Sequence, residues 1–91
     1  MHKYTYFITD GQDIKIGVSN NPSQRLKILQ PGNPRKLTIL LKLNGDREAE
    51  FHNKFHKYRL KGEWFSDEGE LSTFLKEQLF MNLEEYLNLV K

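Results

Sequence analysis

Cysteine is absent from the chain, which excludes a disulfide framework and a cysteine-ligated zinc as supports for the fold. No apolar run approaches the ~18 residues of a membrane span. The start, Met1-His2-Lys3-Tyr4, lacks the charged-then-apolar pattern of a secretory leader. Repeats and low-complexity tracts are missing as well. The expectation is an intracellular protein, cytoplasmic or nuclear. It should form one small domain, because 91 residues support a single core and little else.

Acidic residues are scarce in the first two thirds of the chain. Residues 1–62 hold twelve of the fourteen Lys/Arg but five of the twelve Asp/Glu, a balance of +7, whereas residues 63–91 carry −5. The net charge of +2 hides this split. A basic body with an acidic tail suits a polyanionic partner, of which nucleic acid is the usual one. Lysines that merely solubilise a surface are the plain alternative.

Two short runs rich in aromatic and β-branched residues, Tyr4–Ile8 and Asp13–Gly17, flank Thr9-Asp10-Gly11-Gln12. An Asp-Gly pair between such runs signals a hairpin with a two-residue turn. That turn sets Tyr6 opposite Lys15 and Phe7 opposite Ile14. By alternation Tyr4, Tyr6, Lys15 and Gly17 share one face, and Phe7, Ile14 and Ile16 share the other. The second face reads as core. The first reads as a site, with a phenol beside an ammonium and a glycine leaving room for a ligand backbone. The ammonium would favour the phenolate and lower the Tyr6 pKa.

Asn21-Pro22-Ser23-Gln24 opens a helix, with Asn21 as N-cap, Pro22 at its first position and Gln24 reaching back as in a capping box. Pro31-Gly32-Asn33-Pro34 ends it near Gln30. Leu26 and Leu29 form its buried stripe, and Arg25 sits at the stripe's edge, able to lean over the sheet. Residues 36–43 alternate as a third strand, with Leu37, Ile39, Leu41 and Leu43 on one side. Asn44-Gly45-Asp46 turns into a second helix, about Asp46 to Tyr58, burying Phe51, Phe55 and Tyr58. Gly62-Glu63-Trp64-Phe65 is a turn or short strand. A last helical stretch carries Leu71 to Val90, as one helix or as two with a break at Met81-Asn82. The order ββαβαα implies an α/β (α+β) fold, a three-stranded antiparallel sheet flanked by helices. Residues 1–66 form its core, and residues 67–91 are a helical extension packed on it. Phe80, Leu83, Leu87 and Val90 exceed what so small a core can bury, so residues 79–90 are expected to mediate homodimerisation or docking to a protein partner.

Glu48, His52 and His56 lie one helical turn apart. Their spacing hints at a metal, but three groups spread over two turns converge poorly on one small ion. The bland reading of the histidines is hydrogen bonding at a solvated face.

Taken together, Tyr6, Lys15-Ile16-Gly17, Arg25, Glu48-Ala49-Glu50-Phe51-His52 and Gly62-Glu63-Trp64-Phe65 resemble the GIY-YIG nuclease superfamily, and more closely its small phage-type branch with a Lys-Ile-Gly second motif. The resemblance runs from about Tyr4 to Phe65. It implies a GIY-YIG-like fold and a metal-dependent endonuclease that hydrolyses phosphodiester bonds in DNA. It implies catalytic roles for Tyr6 (activating water), Lys15, Arg25 (clamping phosphate) and Glu48. One divalent metal, Mg²⁺ or Mn²⁺, would sit on Glu48, which matches the family position better than Glu50. Tyr4, Gly17, Lys27 and His52 are the candidate nucleic-acid contacts. Lys15 replaces the wider superfamily's tyrosine, and the asparagine that often follows the metal helix has no clear equivalent between Gly62 and Asp67. The rival readings are a non-catalytic nucleic-acid-binding module of the same fold and a partner-docking protein.

Overall fold

Asp10 closes the first hairpin, although not through the two-residue turn expected for Asp10-Gly11. In the computed structural model, which describes residues 1–90, strand β1 (Tyr4–Thr9) pairs antiparallel with β2 (Asp13–Ser19) so that Tyr6 faces Gly17, Phe7 faces Ile16 and Ile8 faces Lys15. Asp10 Oδ1 accepts the backbone N–H groups of Gln12 at 2.9 Å and Asp13 at 2.7 Å, and its other oxygen meets Arg35 Nη1 at 3.2 Å. An Asx turn therefore outcompetes the tight turn and lengthens the loop. The resulting shift is two residues. An even shift keeps every side chain on its expected face, but Tyr6 and Lys15 become diagonal neighbours rather than a direct pair.

The helix after β2, α1 (Pro22–Leu29), starts as expected, with Asn21 Oδ1 accepting the Gln24 N–H at 3.2 Å. The reciprocal half of the capping box is taken by Ser19 instead, whose Oγ accepts the Asn21 N–H at 3.0 Å. A short 3₁₀ turn, Gln30–Gly32, then leads to β3 (Thr38–Asn44). Strand β3 pairs with β1, and its register slips where β1 passes from Phe7 to Ile8. Leu41 opposes Phe7 and Ile39 opposes Ile8, which leaves Leu40 as the extra residue of a bulge. The single-sided alternation expected for residues 37–43 is thereby broken. Leu37 and Ile39 pack with Tyr6 and Ile8 on one face, and Leu41 and Leu43 pack with Phe7 on the other.

Beyond β3 the second helix is shorter than expected, α2 (Glu48–Lys54), with a 3₁₀ turn at His56–Tyr58. Two three-residue strands follow, β4 (Arg59–Lys61) and β5 (Trp64–Ser66), and they correct the expected architecture: the sheet has five antiparallel strands in the order β3-β1-β2-β5-β4, not three. All of β4 is exposed, so it carries no apolar alternation by which to recognise it. Helices α2 and α3 (Gly69–Leu89) cover one face of the sheet, over a core of Phe7, Ile14, Ile16, Phe51, Phe55 and Phe65. Phe74 of α3 lies 5.4–5.7 Å from the Phe7, Phe51 and Phe55 rings, and each such pair contributes about 0.5–1.5 kcal/mol beyond its burial. The other face, expected to be a site rather than a packing face, has a small core of its own, where Leu26 and Leu29 of α1 pack on Tyr6, Ile8 and Leu37.

Helix α3 is one continuous element without a break at Met81-Asn82. At its start Gly69 has φ +55° and no side chain, which lets the Tyr58 ring lie against it. Tyr58 Oη accepts the Glu70 N–H at 3.1 Å and so satisfies one of the helix's free donors. Leu71 and Leu75 are buried. Farther along, Phe80, Leu83, Leu87 and Val90 are 47–64% exposed, so the helix leaves an apolar flank uncovered instead of folding back on itself. Lys91, the last residue of the expected extension, lies outside the described residues. No helix among the described residues is long and apolar enough to cross a membrane.

Burial alone would raise the Asp10 pKa, but the N–H groups of Asp13 and Gln12, followed by Arg35, hold it below the usual carboxylate range. Its contribution to stability is thus present above the ordinary carboxylate pKa and is lost as pH falls through the lower folded value. Asp10→Ala should destabilise the protein by about 2 kcal/mol at neutral pH. In urea denaturation, the gap between variant and parent should close as the carboxyl protonates in acid.

Candidate active site

Gly17 lies where four elements meet. Tyr6 opposes it from β1, and a methyl group built on Gly17 would overlap the Tyr6 hydroxyl and come within 3.1 Å of Glu63 Oε1. The room that a glycine was expected to keep for a ligand is therefore filled by the phenol of Tyr6 and a carboxylate. Tyr6 is 0% exposed. Its Oη is the one buried side-chain polar atom among the described residues that meets no partner at good hydrogen-bond geometry, with the Arg25 guanidinium the nearest donor able to reach it. Leaving such a group unpaired costs about 1–3 kcal/mol.

Burial is the main reason the Tyr6 pKa is raised, and the negative charge of Glu63 adds to it. Arg25 acts the other way: although its side chain is largely exposed, its guanidinium lies near enough to favour the phenolate, against a further push up from Glu48. This corrects the expectation that Lys15 lowers the Tyr6 pKa. Lys15 Nζ instead pairs with Glu63 Oε1 at 3.1 Å and lies 5.7 Å from the centroid of the Trp64 ring. The carboxylate takes up the field that the phenol was to feel.

Glu63 is the site residue that sequence reasoning passed over. The hairpin of β4 and β5 delivers it: Lys15 pairs with Trp64 across β2 and β5, and the Ile16 N–H donates to the Glu63 carbonyl at 3.0 Å. The signal was present in Gly62-Glu63-Trp64-Phe65, which was read as a motif without assigning its one ionisable side chain. From the other side comes Glu48, the first residue of α2, whose helix is anchored by buried Phe51 and Phe55. His52 ties the same helix to β2. Its Nε2 lies 2.8 Å from the Ile16 carbonyl, positioned to donate, and 3.7 Å from Glu48 Oε1, while its ring meets the Phe65 ring at 4.9 Å between centroids.

The Glu48 and Glu63 carboxyls lie near enough for each to shift the other's protonation. Hydrogen bonding to Glu63, then burial and the charges of Glu63 and Asp46, raise the Glu48 pKa to about 7, against some relief from Lys15. For Glu63, burial pushes upward, but the hydrogen bond from Glu48 and the contact with Lys15 outweigh it and hold the pKa low. Two carboxyls pressed together until one retains a proton near neutrality make a hard oxygen donor set. A divalent cation fits such a pair, because it would replace that proton.

The remaining candidates are not gathered here. Tyr4 packs against His2 and under Lys42 Nζ, 4.6 Å from its ring centroid. Lys27 is exposed in the last turn of α1. His56 is exposed and its Nδ1 bonds the Asn53 carbonyl at 2.8 Å, so Glu48, His52 and His56 do not converge. Among the described residues no group of three or more His, Asp or Glu side chains is placed to hold a metal. Glu50 points away, paired with Arg47 at 2.7 Å.

The model of one protein family, described as the T5orf172 domain, matches residues 3–80. The match includes every residue of the cluster around Gly17. No curated protein and no solved structure gives a significant match to the chain.

A carboxyl whose folded pKa is raised, as for Glu48, supports the fold while it is protonated, and that support is lost as pH rises through about 7. The low value of Glu63 works oppositely, and its support is already in place above the ordinary carboxylate range. Glu48→Gln should therefore flatten the profile: the parent's melting temperature should fall as pH rises from about 5 to about 7 without divalent cation and level off above, and the variant's should show no such fall. A parallel fall in both proteins would mean that the carboxyls do not shift each other's protonation.

Proposed function

The chain belongs to the T5orf172 domain family, and on that premise we propose that it is a divalent-metal-dependent endonuclease that hydrolyses phosphodiester bonds in DNA by a GIY-YIG-type mechanism. The observation that carries this reading is the buried hydroxyl of Tyr6, which no backbone group or core side chain engages and which lies between the Arg25 cation and the Glu48–Glu63 carboxyls. A fold serving stability alone would pair that hydroxyl or replace it by phenylalanine.

Tyr6, with its pKa raised, works as a neutral phenol that orients the attacking water rather than as a standing phenolate. The water oxygen bonds to phosphorus as the P–O3′ bond breaks; the water gives up one proton to solvent, and the 3′-oxygen takes one up from solvent. Arg25, exposed at the rim, stabilises the charge that grows on the nonbridging oxygens. Glu48, with Glu63 beside it, would hold one Mg²⁺ or Mn²⁺, and the ion when bound supplies charge neutralisation at the scissile phosphate. Lys15 keeps Glu63 ionised and in place. His52 holds α2, and with it Glu48, against β2.

Incubation with supercoiled plasmid tests the reading. Nicked product should form with Mg²⁺ or Mn²⁺ and not in EDTA. Arg25→Ala should slow nicking by about 10²–10³-fold with little change in melting temperature, because the side chain is exposed. Salt-dependent DNA binding with no nicking under any metal would favour the non-catalytic binding module instead.

A further inference from the structure

A cleft of about 310 Å³ opens beside the carboxyl pair, on the face of the sheet that α1 covers. Leu29, Leu37 and the exposed Ile28 give it an apolar wall, and Lys15, Gly32, Asn33 and Trp64 complete the lining. The catalytic scheme above uses none of this space, yet the two are joined directly. Lys15 lines the cleft and binds Glu63, and Trp64 follows Glu63 in the chain. The polar groups are suited to a neutral, flat, hydrogen-bonding guest. Asn33 Oδ1 accepts the Arg35 N–H at 3.0 Å, and among the described residues its amide nitrogen makes no hydrogen bond. Lys15 has donors to spare beyond Glu63. An indole, aliphatic walls and one or two donors at the rim are what a nucleobase needs for apolar contact and for recognition of its polar edge.

We propose that this cleft receives a nucleobase next to the phosphate to be cut, and that the substrate is a DNA strand with an unpaired nucleotide at that point. A base held in a continuous duplex is stacked on both sides and cannot enter a cleft without leaving the helix, which costs a few kcal/mol. An unpaired base enters without that cost. The inference rests on the nuclease reading for the word "cut" alone; occupancy of the cleft by a base does not need the chemistry.

Trp64 is the only tryptophan in the chain, so its fluorescence reports on the cleft without a label. The full chain, in EDTA to prevent turnover, is titrated with a short single-stranded thymidine oligonucleotide, with an abasic oligonucleotide of equal length and charge, and with a blunt duplex. The base-bearing single strand should quench Trp64 and bind about 5–150-fold more tightly than the abasic strand, and the duplex should leave Trp64 unquenched. Trp64→Leu should reduce the preference for the base-bearing strand, followed by anisotropy of a labelled oligonucleotide, and Trp64→Phe should keep most of it. Equal binding and equal quenching by the base-bearing and abasic strands of the parent protein would overturn the proposal, and this comparison needs no variant to fold. Base-dependent quenching without cleavage, in Mg²⁺ or Mn²⁺, of a strand that carries an unpaired nucleotide would sink the nuclease reading and leave the cleft's ligand standing. Efficient nicking with no base dependence would do the reverse.

Discussion

The Tyr6 ring laid over Gly17 is the contact on which the other features of this protein depend. It requires a residue without a side chain at the middle of β2 and an aromatic residue at the middle of β1. It buries a hydroxyl with no partner, which the fold must offset elsewhere. On the opposite face the rings of Phe7, Phe51, Phe55 and Phe74 form a chain of contacts with centroids no more than 6.1 Å apart from one ring to the next. A sheet anchored so firmly on one side can hold an unfavourable arrangement on the other.

Around that contact the charges are arranged by backbone more than by side-chain reach. Glu63 arrives because the β4–β5 hairpin joins the edge of β2, and a backbone hydrogen bond to Ile16 fixes its place. Glu48 arrives because α2 begins there, with two phenylalanines sunk into the core behind it. Glu48 thus stands on a helix, and Glu63 sits in a tight turn whose backbone is fixed to β2. The two carboxyls perturb each other through their proximity. Lys15 belongs to this pair. Its ammonium neutralises Glu63 rather than activating the phenol, so its part in the site is electrostatic support.

The chain's local patterns were legible where a residue's neighbours in sequence are also its neighbours in space. The hairpin, the Asn21 cap, the buried stripe of α2 and the exposed flank of α3 all follow from such patterns, and they appear in the structure. What failed depends on competition or on distance. Asp10 had two ways to turn the chain, and its side chain's bonds to two N–H groups settled for the longer one. Leu40 became a bulge because β3 must serve apolar partners on both faces, and no alternation along one strand reveals that. The strands β4 and β5 are three residues each, too short to show a period. They carried with them the role of Glu63 and the sign of the Tyr6 shift, since both depend on what lies beside β2.

Tyr6 keeps its hydroxyl for chemistry at the expense of stability. Tyr6→Phe removes that atom and little else, so urea denaturation and plasmid nicking on one preparation separate the two roles. The variant should be as stable as the parent or more stable by about 1 kcal/mol, with nicking reduced at least a hundredfold. A variant that loses stability while nicking at the parent's rate would make the hydroxyl a structural group and remove its role in cleavage.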